Sequence, residues 1–245
     1  MNQRTPAVLC AEALTHKFRH GTIHTTAVEA VDITFAPGSF TAIMGRSGSG
    51  KSTLLYCLAG LIRPTEGKVT FDGVDLAQVA TRRLNQLWRD DFGFIFQQFN
   101  LIDALTAVDN VRLPSLFGRH LLTTSEATAA LQRVGLLDAA HRYPGELSGG
   151  QQQRVAVARA LARPRRVVFA DEPTGALDQA SGWAVLDLFT EFTATGTTVV
   201  MVTHDPGVAA RADRVLFLHD GALRADLTRP SVREISDLLV TWEVP

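Results

Sequence analysis

The stretch 45–53, GRSGSGKST, sets a lysine and two hydroxyls behind a run of small residues, directly after the apolar run FTAIM. Gly45-x4-Gly50-Lys51-Ser52 fits the phosphate-binding loop pattern in full. Glycines let backbone N–H groups approach phosphate oxygens, and the start of the next helix adds partial positive charge. A lysine here can reach the β- and γ-phosphates of a nucleoside triphosphate, and a serine hydroxyl can ligate magnesium. Gly45, Ser47, Gly48, Gly50, Lys51, Ser52 and Thr53 are the candidate ligands. The only lysines are Lys17, Lys51 and Lys68, so a compact ammonium inside the loop stands out in a chain that otherwise uses arginine.

Hydrolysis at such a loop needs a magnesium carboxylate and a group to orient water. VVFADEP, 167–173, supplies a candidate for each: Asp171 for the metal and Glu172 for the water. Two adjacent carboxylates alone would read as a solvated strand end; the loop upstream gives them a task. A second stretch, LSGGQQQR at 147–154, is a good helix start, with Ser148 as cap and Gln151 closing a capping box. Gly149 and Gly150 cost helix stability relative to alanine, which is tolerable where something must come close. The chain thus has two anion-ready helix starts but one phosphate loop and one acidic strand. Two chains arranged head to tail, each second helix facing the other's nucleotide, resolve that mismatch.

These residues need a frame. AVLCAEALTHKF, AVEAVDITF and GKVTFDG make the first part β-rich. STLLYCLAGL is the helix that follows the loop. From about 123 the texture turns helical. Thr123 and Glu126 form a capping box and Gly135 a stop. SGGQQQRVAVARALARP is a helix ended by Pro164, and QASGWAVLDLFTEFTATG one closed by Gly196. RVVFADEP and TTVVMVTHD are short continuous apolar strands suited to a buried parallel sheet. The βαβ rhythm predicts a mostly parallel sheet with helices on both faces. Residues from about 80 to 165 are expected to form a helical lobe inserted between two sheet strands. A C-terminal amphipathic helix is expected over about 231–242, with Val232, Ile235, Leu238, Leu239 and Trp242 in one stripe packed on its own domain. No linker or repeat divides 1–245, so one domain is expected.

The net charge of −1 gives no global basic field for nucleic acid or an anionic membrane. RPRR at 163–166 reads as a solvated helix end. Cys10 and Cys57 lie far apart without ligand spacing, which argues against a disulfide framework or a zinc site. G-x-G-x-x-G is absent, disfavouring a dinucleotide site. No apolar run approaches the ~20 residues that span a bilayer, and MNQRTPAVLC lacks a signal-peptide core. The expectation is a cytoplasmic chain, peripheral on the inner face of the membrane through a separate partner.

GRSGSGKST, LSGGQ, VVFADEPTGALD and VTHD together, in this order, resemble the ATP-binding-cassette ATPases. The resemblance implies a P-loop NTPase α/β core with a mostly parallel sheet, an N-terminal antiparallel β subdomain and an inserted helical subdomain. It implies ATP and Mg2+ as cofactors and an ATP-sandwich dimer of two copies. It gives Gln97 of FIFQQF a role in sensing magnesium and coupling to a membrane subunit, ahead of Gln98. It makes Asp178 of GALD the residue spanning the dimer and His204 the switch histidine at the γ-phosphate. Ser148, Gly149, Gly150 and Gln151 would face the partner's nucleotide. Phe18 would stack on adenine, with His16 or His20 as competitors.

FGFIFQQFNLIDALTAVDNV, ADEPTGALD and VTHDP further resemble the macrolide-exporter, lipoprotein-release and bacitracin-resistance branch. That implies an integral membrane permease docking near 97–117 and moved by ATP-driven dimer closure. The alternative is a soluble mechanical ATPase acting on DNA or ribosomes. Such proteins insert long coiled coils or zinc modules, or fuse two cassettes, and this chain shows none of these patterns. No nucleic-acid partner is expected.

Overall fold

The computed structural model describes residues 7–21, 23–117 and 121–241. Two sheets organise it. β1 (Leu9–His20), β2 (Ile23–Phe35), β4 (Glu66–Phe71) and β5 (Val74–Asp75) form an antiparallel sheet in the order β2-β1-β4-β5. The second sheet runs β10-β9-β3-β8-β7-β6, with β3 (Phe40–Met44) near its centre. Its members β6 (Phe92–Ile95), β7 (Val167–Asp171), β8 (Thr198–Val202) and β9 (Arg214–His219) continue it in parallel; β10 (Ala222–Thr228) is antiparallel.

β3, β7 and β8 are buried at every position. Side chains alternate between faces along a strand, and here both faces are covered, so the runs are continuously apolar. Ile43, Phe169, Val200 and Val202 point into a core shared with α1 (Lys51–Leu58) and the antiparallel sheet. Phe40, Met44, Val168, Ala170 and Met201 point the other way, into a core shared with the helices. A fully buried side chain such as Phe169 contributes roughly 1.5–3 kcal/mol to holding these layers together.

α2 (Thr81–Asp90) leads into β6. Between β6 and β7 run α3 (Ala107–Arg112), α4 (Thr124–Arg133) and α5 (Gly149–Leu161). The helical insertion is therefore narrower than the 80–165 expected from sequence: Phe92–Ile95 lies inside that interval yet pairs with β7 in the main sheet. FGFI is too short for its pattern to separate strand from helix, and pairing settles it. Both expected capping boxes are present, at Thr123/Glu126 and Ser148/Gln151. Gly135 (φ 68°) and Gly196 (φ 98°) sit just past the helices they close, the latter being α6 (Gln179–Ala194).

A short α7 (Pro206–Ala209) precedes β9. α8 (Val232–Thr241) buries Ile235 and packs Leu238 and Leu239 on the helical core, whereas Val232 is exposed. Trp242 lies outside the described residues. RPRR is not a solvated end. Arg165 is only 7% exposed and donates to Arg89 O, and Arg166 pairs with Asp72. Tertiary closure of β6 against β7 buries a cation that a local reading leaves in water.

Candidate nucleotide-binding site

β3 ends at Met44 and α1 begins at Lys51, so the whole loop hangs between a buried strand and a helix start. Two of its glycines are demanded by neighbours within the chain. A Cβ on Gly45 would lie 2.1 Å from Leu218 O, and one on Gly50, at φ 94°, would lie 1.9 Å from Ala27 O. Gly48 faces open space. Lys51 is 9% exposed and its Nζ donates to Arg46 O at 2.7 Å, across the loop. Burial lowers the pKa of this ammonium, while the charges of Glu172 and Asp171 act to raise it.

Beneath the loop, Asp171 is 1% exposed at the end of β7. Ser52 Oγ donates to its Oδ1 at 3.0 Å and Tyr56 Oη donates to its Oδ2 at 2.9 Å. Burial, followed by the Asp171 charge, pushes the Tyr56 phenol up to about 12, so it stays a donor. Ser52 and Asp171 thus bring two hard oxygens together beside Lys51. That donor chemistry suits magnesium, which takes one or two protein oxygens and fills the rest with water and phosphate.

Glu172, one residue on, adopts φ 50°, a left-handed conformation sparsely used by non-glycine residues. Its N–H donates to Val202 O at 3.0 Å. The turn aims its carboxylate away from the strand and toward His204, whose Nδ1 lies 2.9 Å from Glu172 Oε1.

These groups share one cavity of about 530 Å3. Of the residues expected from sequence, Phe18, Ser47, Gly48, Gly50, Lys51, Ser52, Thr53, Gln97, Glu172 and His204 line it. Gly45 shapes the loop from behind, and Asp171 sits below, reached through Ser52. Gln98 is exposed but does not line the cavity, which favours Gln97. Phe18 is 38% exposed. His16 is buried beneath it, edge-on at 4.7 Å, with Nδ1 at Arg63 O, so it does not compete for the cavity. The His20 side chain lies outside what is described. Sequence reasoning missed Thr25, Thr26 and Ala27, which β2 brings to the cavity, and Tyr56. Helical spacing from Ser52 was a usable signal for Tyr56; nothing local marks the β2 residues.

Ser148, Gly149, Gly150, Gln151 and Asp178 do not line this cavity. Ser148 and Gln151 cap α5. A Cβ on Gly150 would meet Ala176 O at 3.0 Å and Leu177 Cδ2 at 3.6 Å, so the glycine also fits its own chain's 175–178 turn. Asp178 caps α6, accepting from Ser181 N at 3.0 Å and Ser181 Oγ at 2.7 Å. The Ser181 hydroxyl bond holds its carboxyl below the ordinary value.

Leu101 of the 97–117 segment packs on the helical core. Fully buried Asn110 staples this segment by accepting from Ile102 N and donating to Ile102 O, Leu105 O and Thr106 O. Ile102, Leu116 and Phe117 are its large exposed apolar side chains.

Residues 28–175 match the family described as "ABC transporter". The chain is 43% identical over 226 residues to the macrolide export ATP-binding/permease protein MacB of Bartonella henselae, covering 91% of this chain and 34% of that one. It is 46% identical over 220 residues to the MacB of Rhodopseudomonas palustris, covering 89% and 34%. It therefore spans about a third of the length of these relatives. Among solved structures, the ATP-binding cassette MJ0796, in a dimeric post-hydrolysis state bound to ADP and Pi, superposes with TM-score 0.87 at 38% identity. That match covers 91% of this chain and 99% of that one.

Proposed function

The chain belongs to the ABC transporter family as its ATPase domain, and on that premise we propose that it hydrolyses ATP with Mg2+ to drive a membrane permease. The observation that carries this is the convergence of Lys51, the Ser52–Asp171 pair and the Glu172–His204 pair on one cavity. Phe18 offers a ring face to adenine. The Gly48–Thr53 backbone and Lys51 hold the phosphates. Ser52 and Asp171, with Gln97, hold Mg2+, which when bound neutralises phosphate charge. Glu172 accepts the proton of a water as that water forms a bond to the γ-phosphorus. The bond from phosphorus to the bridging oxygen breaks, leaving ADP and phosphate. His204 orients Glu172 and contacts the γ-phosphate.

The cavity of one chain lacks the second helix start, and Ser148–Gln151 and Asp178 lie elsewhere. A head-to-tail second copy would bring Ser148, Gly149, Gly150 and Gln151 to the first copy's nucleotide, with Asp178 at the seam. The dimeric state of MJ0796 supports this arrangement. The relatives named as export ATP-binding/permease proteins support a permease partner. We place its docking at 97–117, where Ile102, Leu116 and Phe117 are exposed. No helix among the described residues is long and apolar enough to cross a membrane. A peripheral position on the cytoplasmic face, held by the permease, follows from that partnership.

Magnesium-dependent release of phosphate from ATP by the purified chain tests the reading. Lys51→Ala should greatly weaken binding of a fluorescent ATP analogue; unchanged affinity would remove Lys51 from the site. Recovery with DNA or ribosomes instead of a permease would redirect the function to a soluble mechanical ATPase.

A further inference from the structure

Asp171 is a nearly inaccessible carboxylate with a separate donor on each oxygen. Ser52 and Tyr56 stand four residues apart on α1, a spacing that stacks side chains on one helical face. Both hydroxyls therefore meet the end of β7 from the same side. Only Ser52 belongs to the phosphate-loop pattern. The Tyr56 ring is fixed by aromatic neighbours: its centroid is 5.7 Å from Phe94, which is stacked against Phe96 at 4.2 Å and Trp88 at 6.3 Å. A phenol held this way cannot follow a carboxylate that turns.

We propose that Tyr56 is a positioning residue for the magnesium carboxylate, its hydroxyl fixing Oδ2 of Asp171 so that Oδ1 stays turned to Ser52 and the metal. This rests on the metal role given above to Ser52 and Asp171. With one donor, a carboxylate can rotate about Cβ–Cγ and still keep its bond. With a rigid donor on each oxygen it cannot. Partners that orient metal-ligating carboxylates contribute to affinity through that loss of freedom. A tyrosine serving only to fill the layer between α1 and β6 would need no hydroxyl, so Tyr56→Phe separates the two roles.

The experiment is Mg2+ titration of fluorescent ATP-analogue binding to the full chain, with Mn2+ binding to the ADP complex followed by electron paramagnetic resonance. For Tyr56→Phe the half-saturating metal concentration should rise about tenfold or more, within the range known for such partners. Nucleotide binding in excess chelator should be unchanged. A rise of less than about tenfold, with or without a change in melting temperature, overturns the proposal and leaves Tyr56 a packing residue. Asp171→Asn is the reference. If it abolishes metal dependence while Tyr56→Phe does not alter it, only the Tyr56 inference fails. If Asp171→Asn leaves metal dependence intact, the metal site itself is misassigned.

Discussion

The imidazole of His204 lies with Nδ1 2.9 Å from Oε1 of Glu172, joining the ends of neighbouring parallel strands β8 and β7. The Glu172 side chain is 14% exposed and that of His204 74%. A sheltered carboxylate is thus held by an imidazole open to solvent.

Glu172→Gln keeps the size of the side chain but is a far weaker base. Turnover should fall by roughly 10²–10⁴, the worth of a positioned general base. Nucleotide binding should survive, because Lys51, Ser52 and Asp171 are untouched. If hydrolysis opens the dimer, the variant should accumulate as a closed ATP-bound dimer on size-exclusion chromatography. Near-normal phosphate release would sink the role given to Glu172; lost turnover without dimers would sink the opening cycle alone.

Ser148 should act on the other copy's nucleotide. Chains carrying Lys51→Ala and chains carrying Ser148→Arg should each be inactive alone. Mixed, they form a dimer in which one composite site keeps both an intact loop and an intact Ser148. Partial recovery of ATPase activity is expected. No recovery, with mixed dimers verified by differential tags, counts against the trans arrangement.

Phe18→Ala should weaken ATP binding by about 1–3 kcal/mol, the usual contribution of an aromatic stacked on a base. Phe18→Tyr should bind normally, since stacking uses only the ring face. Equilibrium binding of ATP against a triphosphate lacking a base checks this: the alanine variant should lose only the base-dependent part.

Docking should depend on exposed side chains rather than on Leu101, which packs inward. Ile102→Asp combined with Phe117→Asp should abolish co-purification with the permease while ATP binding and the melting curve stay near wild type. Undiminished assembly would move the docking surface away from 97–117.

Gly50→Ala should destabilise the fold before any question of phosphate arises. At φ 94°, with Ala27 O 1.9 Å from the new Cβ, the loss should exceed about 1 kcal/mol. In a domain of this size that is a drop of roughly 2–4 °C or more in Tm. An unchanged Tm would mean β2 yields easily.

The local geometry of the candidate site was largely legible in the sequence because it rests on local rules. A strand, a glycine turn and a helix start are consecutive, so GRSGSGKST carries its own geometry. The capping boxes at Thr123/Glu126 and Ser148/Gln151 span four residues each, and both formed. Asp171 and Glu172 end an apolar strand, and strand ends point where the next turn sends them. Tertiary structure decided what depends on partners distant in the chain. Arg165 is buried because β6, itself too short to announce its type, closes beside β7. Leu101 turns inward because Asn110 staples its loop. Gly45 and Gly50 are required by carbonyls of Leu218 in β9 and Ala27 in β2, which a local reading of the loop does not show. Thr25, Thr26 and Ala27 reach the cavity only because the antiparallel sheet folds over α1. Tyr56 meets Asp171 across 115 residues of sequence: helical spacing puts it on the face of Ser52, but only packing brings that face to the end of β7.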